Sequence, residues 1–138
     1  MINLDVCGYG DTIIIGPRKS LDSSLFGQAI QNVSQSSSHN CEIIKLLPEG
    51  DDREFEVEGI PNISVAIVPI EDVKVVEELA LSETDQLQPK KMPLVIKTMH
   101  NGEMDNIDTV SEDAMESILR WIIDVFSQFE TLIDQKGD

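Results

Sequence analysis

An α/β layered domain, with a mostly parallel or mixed sheet flanked by helices, is the fold this sequence predicts. Two observations carry the prediction. Short apolar runs rich in β-branched residues, at 2–7, 12–15, 41–47, 62–69 and 93–99, are interleaved with stretches of helical periodicity at about 22–34, 71–81 and 111–135. Turn-forming clusters separate them: Gly8-Tyr9-Gly10-Asp11, Gly16-Pro17 and Pro48-Glu49-Gly50.

The elements follow in order. Residues 2–7 form a strand that ends in the glycine-rich turn, and 12–15 form a second strand stopped by Gly16-Pro17. Asp22 or Ser23 caps a helix reaching Ser34, with Leu25, Phe26, Ala29, Ile30 and Val33 on one face. The serine-rich stretch after it is a loop, in which His39 reads as surface. Residues 41–47 are a strand, and 51–58 one or two helical turns closed by Gly59. The near-continuous apolar run at 62–69 suits a strand buried on both faces. Residues 71–81 are a helix, 82–92 a polar loop, and 93–99 a last strand leading into His100. Ser111 caps the final helix, whose stripe is Met115, Ile118, Leu119, Ile122, Phe126, Phe129 and Ile133; Trp121 lies off its centre. The whole of 1–138 reads as one domain without internal repeats.

Hydrophobic residues make up 41% of the 138, enough for a packed core rather than a disordered chain. A net charge of −16, from 26 acidic and 10 basic residues, repels phosphate backbones and anionic headgroups, so neither nucleic acid nor membrane is expected as a partner. No signal peptide or spanning run is visible, which makes the cytoplasm the expected location. Cys7 and Cys41 form no metal-binding or disulfide spacing and read as buried free thiols.

The stretch from His100 to Asp108 is where chemistry is most readable. A histidine between a strand end and a helix start is well placed to hold a metal, and Asp105 can orient it. Three segments in register, Ile2-Asn3-Leu4-Asp5, Glu58-Gly59-Ile60-Pro61 and His100 through Asp108, resemble the bacterial leucyl aminopeptidase-like family of co-catalytic zinc exopeptidases. The resemblance implies the C-terminal half of such a catalytic domain, with Asp5 a ligand to one zinc and His100 to the other. It departs at Gly50-Asp51-Asp52-Arg53-Glu54-Phe55, where the family has Ser-Asp-His before its aromatic residue, and at Asn101, where threonine is common.

The family's first histidine, bridging aspartate and paired glutamates lie upstream of the Asn-Leu-Asp strand. A catalytic zinc usually has three protein ligands, so the chain alone is expected to bind zinc weakly or not at all and to leave peptides uncleaved. A peptide substrate is expected only with the missing half supplied. Simpler readings stand beside these: Asp5 ending a strand, His100 an ordinary loop histidine, Asp105 and Asp108 feeding negative charge to the last helix, and Asp51 and Asp52 in a solvated turn. The alternative function is a non-catalytic α/β module that self-associates; unpaired strand edges and an uncovered apolar face lead us to expect a homo-oligomer in either case.

Overall fold

The computed structural model describes residues 1–17, 21, 24–36, 38–48, 50–85, 92–99 and 101–136. Four strands, β1 (Ile2–Leu4), β2 (Thr12–Pro17), β3 (Cys41–Ile43) and β4 (Ile63–Val68), form one mixed sheet in the order β1-β4-β2-β3. β4 runs parallel to β1 and antiparallel to β2, while β2 and β3 are parallel. The helices are α1 (Leu25–Ser34), α2 (Arg53–Val57), α3 (Val73–Asp85) and α4 (Glu112–Asp134), joined by 3-10 turns at Ile70–Asp72, Leu94–Thr98 and Ile107–Thr109. The architecture is α/β, as the alternating pattern predicts.

Strand alternation divides the core between two faces. Ile13, Ile15, Ile63, Val65 and Ile67 pack against α1 and α4, including Ala29, Ile30, Ile118, Trp121 and Val125. Ile14, Ala66 and Val68 face the other way, onto Ile44, Leu47, Val73, Val76 and Val95. Every residue of β4 is buried, because that strand is covered on both faces and paired on both edges.

Local chemistry fixes the boundaries. Ser24 caps α1 by accepting from the Gly27 amide at 3.0 Å; Asp22 and Ser23, the expected caps, lie outside the described residues. Gly59, at φ +71°, closes α2, and the Ile60 amide donates back to the Phe55 carbonyl at 2.9 Å, a Schellman closure. The Ser111 hydroxyl accepts from the Ala114 amide at 3.2 Å, and its own amide donates to the Gly8 carbonyl at 2.8 Å. The start of α4 is thereby tied to the exit of β1.

The sheet departs from the expected elements in four places, the first being β2, which runs through Gly16-Pro17 and pairs them with Ser64 and Ile63 instead of stopping before them. The strand expected at 41–47 ends at Ile43; the Ile44 amide still donates to the Ile15 carbonyl at 3.0 Å, and just beyond it the Lys45 amide donates to the Glu77 carboxylate at 2.7 Å. The strand expected at 93–99 is a 3-10 turn: buried Asp72 accepts from the Val95 amide at 2.9 Å, so that amide joins no sheet. β1 is shorter than 2–7, since Val6 adopts φ +48° and breaks the extended run.

α4 corrects the expected stripe. Trp121 is fully buried at the centre of the packed line Ala114, Ile118, Trp121 and Val125, and its indole N–H donates to the Ser34 hydroxyl at 3.2 Å. Met115, Leu119, Phe126 and Ile133 are instead half exposed. The apolar arc of α4 is wider than the sheet and α1 can cover, so the pattern alone does not locate its centre. Phe129 does pack inward, edge-on to Phe26 with ring centroids 5.4 Å apart.

His39 is also corrected. Its side chain is 8% exposed, and Nε2 lies 2.7 Å from the Asp124 carboxylate. The loop after α1 is thus fastened to the middle of α4.

Candidate functional site

Asp5 follows directly on β1, at the carboxyl end of the strand, where open α/β sheets gather their ligand groups. Its amide donates to the Val65 carbonyl at 2.9 Å, so its backbone is still part of the ladder. In a regular parallel pair the next bond from β4 would reach Asp5; here the Ile67 amide donates to the Val6 carbonyl at 3.1 Å, one residue out of step. Val6 accommodates the slip with its left-handed φ, a costly conformation for a β-branched residue. The bulge re-aims the chain just where Asp5 leaves the sheet.

Beyond it lies a cleft of about 250 Å³. One wall is the exit of β1, with Asp5, Val6, Gly8 and Tyr9; the other is formed by Thr98, Met99, Met104, Asp105 and Asn106, with Thr109 and Val110 closing the end toward α4. Asp5 and Asp105 therefore border the same opening. On its other side Asp5 meets the turn before α2. A Cβ on Gly50 would lie 3.4 Å from the Asp5 carboxylate and 3.6 Å from that of Asp52.

Asp52 is fully buried and accepts from the Gly50 amide at 3.1 Å, so it holds the turn rather than facing solvent. Asp51 beside it is exposed, as expected of a turn.

The loop forming the far wall is drawn tightly around itself. The Met104 amide donates to the Lys97 carbonyl at 2.9 Å and the Gly102 amide to the Met99 carbonyl at 2.8 Å. A side chain on Gly102 would meet the Lys97 carbonyl oxygen at 2.2 Å, so only glycine permits this closure. The Asp105 carboxylate accepts from the Asn101 amide at 2.8 Å, and Asn101 takes φ +63°. Asp105 thus organises the loop. Asp108 sits in the following 3-10 turn, where its amide donates to the Asn106 side chain at 3.0 Å.

His100 lies outside the described residues, so the expected pairing of Asp5 with His100 has no described geometry. Its chain neighbours Met99 and Asn101 belong to the far wall and to its closing hydrogen bonds. Among the described residues no group of three or more histidine, cysteine, aspartate or glutamate side chains could hold a metal ion. Cys7, near Asp5, is a free thiol pushed up to about 11 by burial and then by the Asp5 charge.

Sequence reading missed Val6, Tyr9, Met99 and Met104 as cleft residues. The signal available was position: residues just past a strand's carboxyl end line the crevice of an open sheet. No described helix is long and apolar enough to cross a membrane. Compared with protein-family models, curated proteins and solved structures, the chain matches none.

Proposed function

We propose that this chain is the C-terminal half of a zinc aminopeptidase-like domain, in which Asp5 and His100 are metal ligands, and that the chain alone is inactive. The observation supporting this most strongly is that Asp5, at the carboxyl end of β1, and Asp105, which organises the loop next to His100, border one cleft.

The described residues do not by themselves fit a catalytic zinc, which usually takes three protein ligands. In a completed site the metal would polarise a scissile carbonyl and activate water. What this chain supplies is position: a carboxylate on the sheet, and a loop held shut by Asp105 and Gly102. The matching substrate class is the N-terminal end of a peptide.

Titration with Co²⁺ followed by NMR tests this reading on the isolated chain. Weak binding is expected, with paramagnetic broadening first at Asp5, Met99 and Asp105, and lost in both Asp5→Asn and His100→Gln. Broadening spread evenly over the acidic surface would sink the assignment of these ligands. Submicromolar, stoichiometric zinc binding by calorimetry would overturn the claim that the chain alone binds metal weakly.

A second reading, a non-catalytic α/β module that self-associates, is favoured by the half-exposed apolar residues of α4. Unchanged Co²⁺ spectra in both variants would favour it.

A further inference from the structure

The chain has six asparagines, and its structure gives five of them a reason to be chemically quiet. The Asn3 carboxamide donates to the Ser64 hydroxyl at 3.1 Å, and that of Asn62 to the Ile60 carbonyl at 3.1 Å. The Asn40 carboxamide donates to the Asp11 carbonyl and the Thr12 hydroxyl, each at 2.9 Å. Asn106 accepts from the Asp108 amide at 3.0 Å, and Asn32 lies within α1. The residues that follow them, Leu4, Val33, Cys41, Ile63 and Ile107, all carry side chains that crowd the next amide.

Asn101 differs in each respect. It is exposed, lies outside every helix and strand, and its carboxamide has no hydrogen-bond partner among the described residues. Its successor is Gly102, whose amide nitrogen has no Cβ beside it to hinder approach. Such a pair holds a nucleophile and an electrophile within one short ring. The Gly102 nitrogen, once solvent base has taken its proton, attacks Cγ of Asn101. The new C–N bond forms, the bond from Cγ to Nδ2 breaks, and ammonia leaves. Water then opens the cyclic imide at either carbonyl, giving aspartate or isoaspartate.

The folded loop opposes the first step. The Gly102 amide donates to the Met99 carbonyl at 2.8 Å, so the proton that must leave is already engaged. Asn101 is held at φ +63°, and its own amide donates to the Asp105 carboxylate at 2.8 Å. Ring closure therefore waits on a transient opening of the loop. The loop also lacks room for isoaspartate, in which the main chain runs through Cβ and Cγ and gains a methylene before Gly102. A single added carbon on Gly102 would already meet the Lys97 carbonyl oxygen at 2.2 Å.

We propose that Asn101 is a site of spontaneous deamidation gated by loop opening, and that its conversion to isoaspartate irreversibly unlatches the far wall of the cleft. The lengthened backbone parts the Gly102 amide from the Met99 carbonyl and, with it, the Met104 amide from the Lys97 carbonyl. Aspartate, the other product, sets a second carboxylate close to that of Asp105. Met99, Met104 and Asp105 line the wall, so both products act on the cleft. The reaction needs no metal and does not depend on the ligand roles assigned to Asp5 and His100.

Ageing the folded chain in mildly alkaline buffer, followed by peptide mass spectrometry, tests the proposal. Tryptic cleavage after Lys97 and Arg120 yields one peptide, 98–120, that holds Asn101 and Asn106 together, and fragment ions tell them apart. Asn101 should convert ahead of the other five asparagines, but roughly tenfold or more slowly than in the chain unfolded in urea. Amide exchange at Gly102 and Met104 should quicken in the aged protein. It should stay constant on ageing of Asn101→Gly, which accepts the positive φ and has no carboxamide to lose. An unmodified Asn101 in the folded protein, another asparagine reacting first, or equal rates in the folded and unfolded chain would each overturn the proposal. So would exchange at Gly102 and Met104 that ageing leaves unchanged, or that quickens equally in Asn101→Gly.

Discussion

The two faces of the sheet are built differently. Under α1 and α4 the core is two helices and bulky apolar groups, and buried Ser34 is bonded to Trp121. The opposite face is covered by α3, a 3-10 turn and extended chain, and buries Thr12, Ser64, Asp52 and Asp72. One Asp72 oxygen there has no hydrogen-bond partner among the described residues, a defect of about 1–3 kcal/mol for a buried acceptor. The cleft opens where this second face meets the β1 edge, with Val6 and Tyr9 packed on that side. The first face supplies rigidity, and the second exchanges part of it for polar groups and turns that shape an opening.

Trp121→Ala should have the largest effect, since it empties the centre of the rigid face and leaves the Ser34 hydroxyl without its donor. A loss of about 3–5 kcal/mol in urea unfolding is expected. A loss below about 1 kcal/mol would mean that α4 is not held as described.

Adjacent residues of β2 then compare the faces directly. Ile14 and Ile15 are both completely buried but point to opposite sides. Truncation to alanine costs about 2–5 kcal/mol, depending on how far the surroundings collapse into the cavity. Ile15→Ala, walled by the two helices α1 and α4, should fall in the upper half of that range, and Ile14→Ala, beneath α3, a 3-10 turn and extended chain, in the lower half. The reverse order would break the contrast.

The smallest effect concerns Cys41, half-buried against the first face, whose thiol is pushed up to about 12 mainly by burial and then by Glu42. The native state keeps its proton while the unfolded thiol, near 9.0, releases its own. Stability is therefore fully present below pH 9 and declines as pH rises from there toward about 12. Cys41→Ala should flatten that decline in urea midpoints measured across the window; an unchanged slope would assign it to other groups.

Elements that depend on local pattern were legible in the sequence. The caps at Ser111 and Gly59, the doubly buried β4 and the glycine turn after β1 all follow from neighbouring residues. What was hidden depends on contacts between distant parts of the chain. Asp72 takes the Val95 amide and turns an apolar run into a 3-10 turn; Glu77, far along the chain, takes the Lys45 amide just past the end of β3. His39 looked like loop surface because its partner, Asp124, is 85 positions away. For the site, Asp5 and Asp105 were legible because strand ends and helix starts have characteristic neighbours. The bulge at Val6 was not, since valine gives no local sign of a left-handed conformation.

The position of β1 at the sheet edge also has a consequence for the order of assembly. Asn3 and Ser64, paired across β1 and β4, are separated by 61 positions, while β3 pairs, among the described residues, only with β2. Closing a loop of that length costs about 3–4 kcal/mol of chain entropy before any contact repays it. β2 and β3 can meet as soon as Ile43 has been made, but β1 must wait for β4 before it can pair with it. Long-range pairing of this kind slows folding. The carboxylate of Asp5, at the end of β1, is therefore among the last groups of the sheet to be fixed in place.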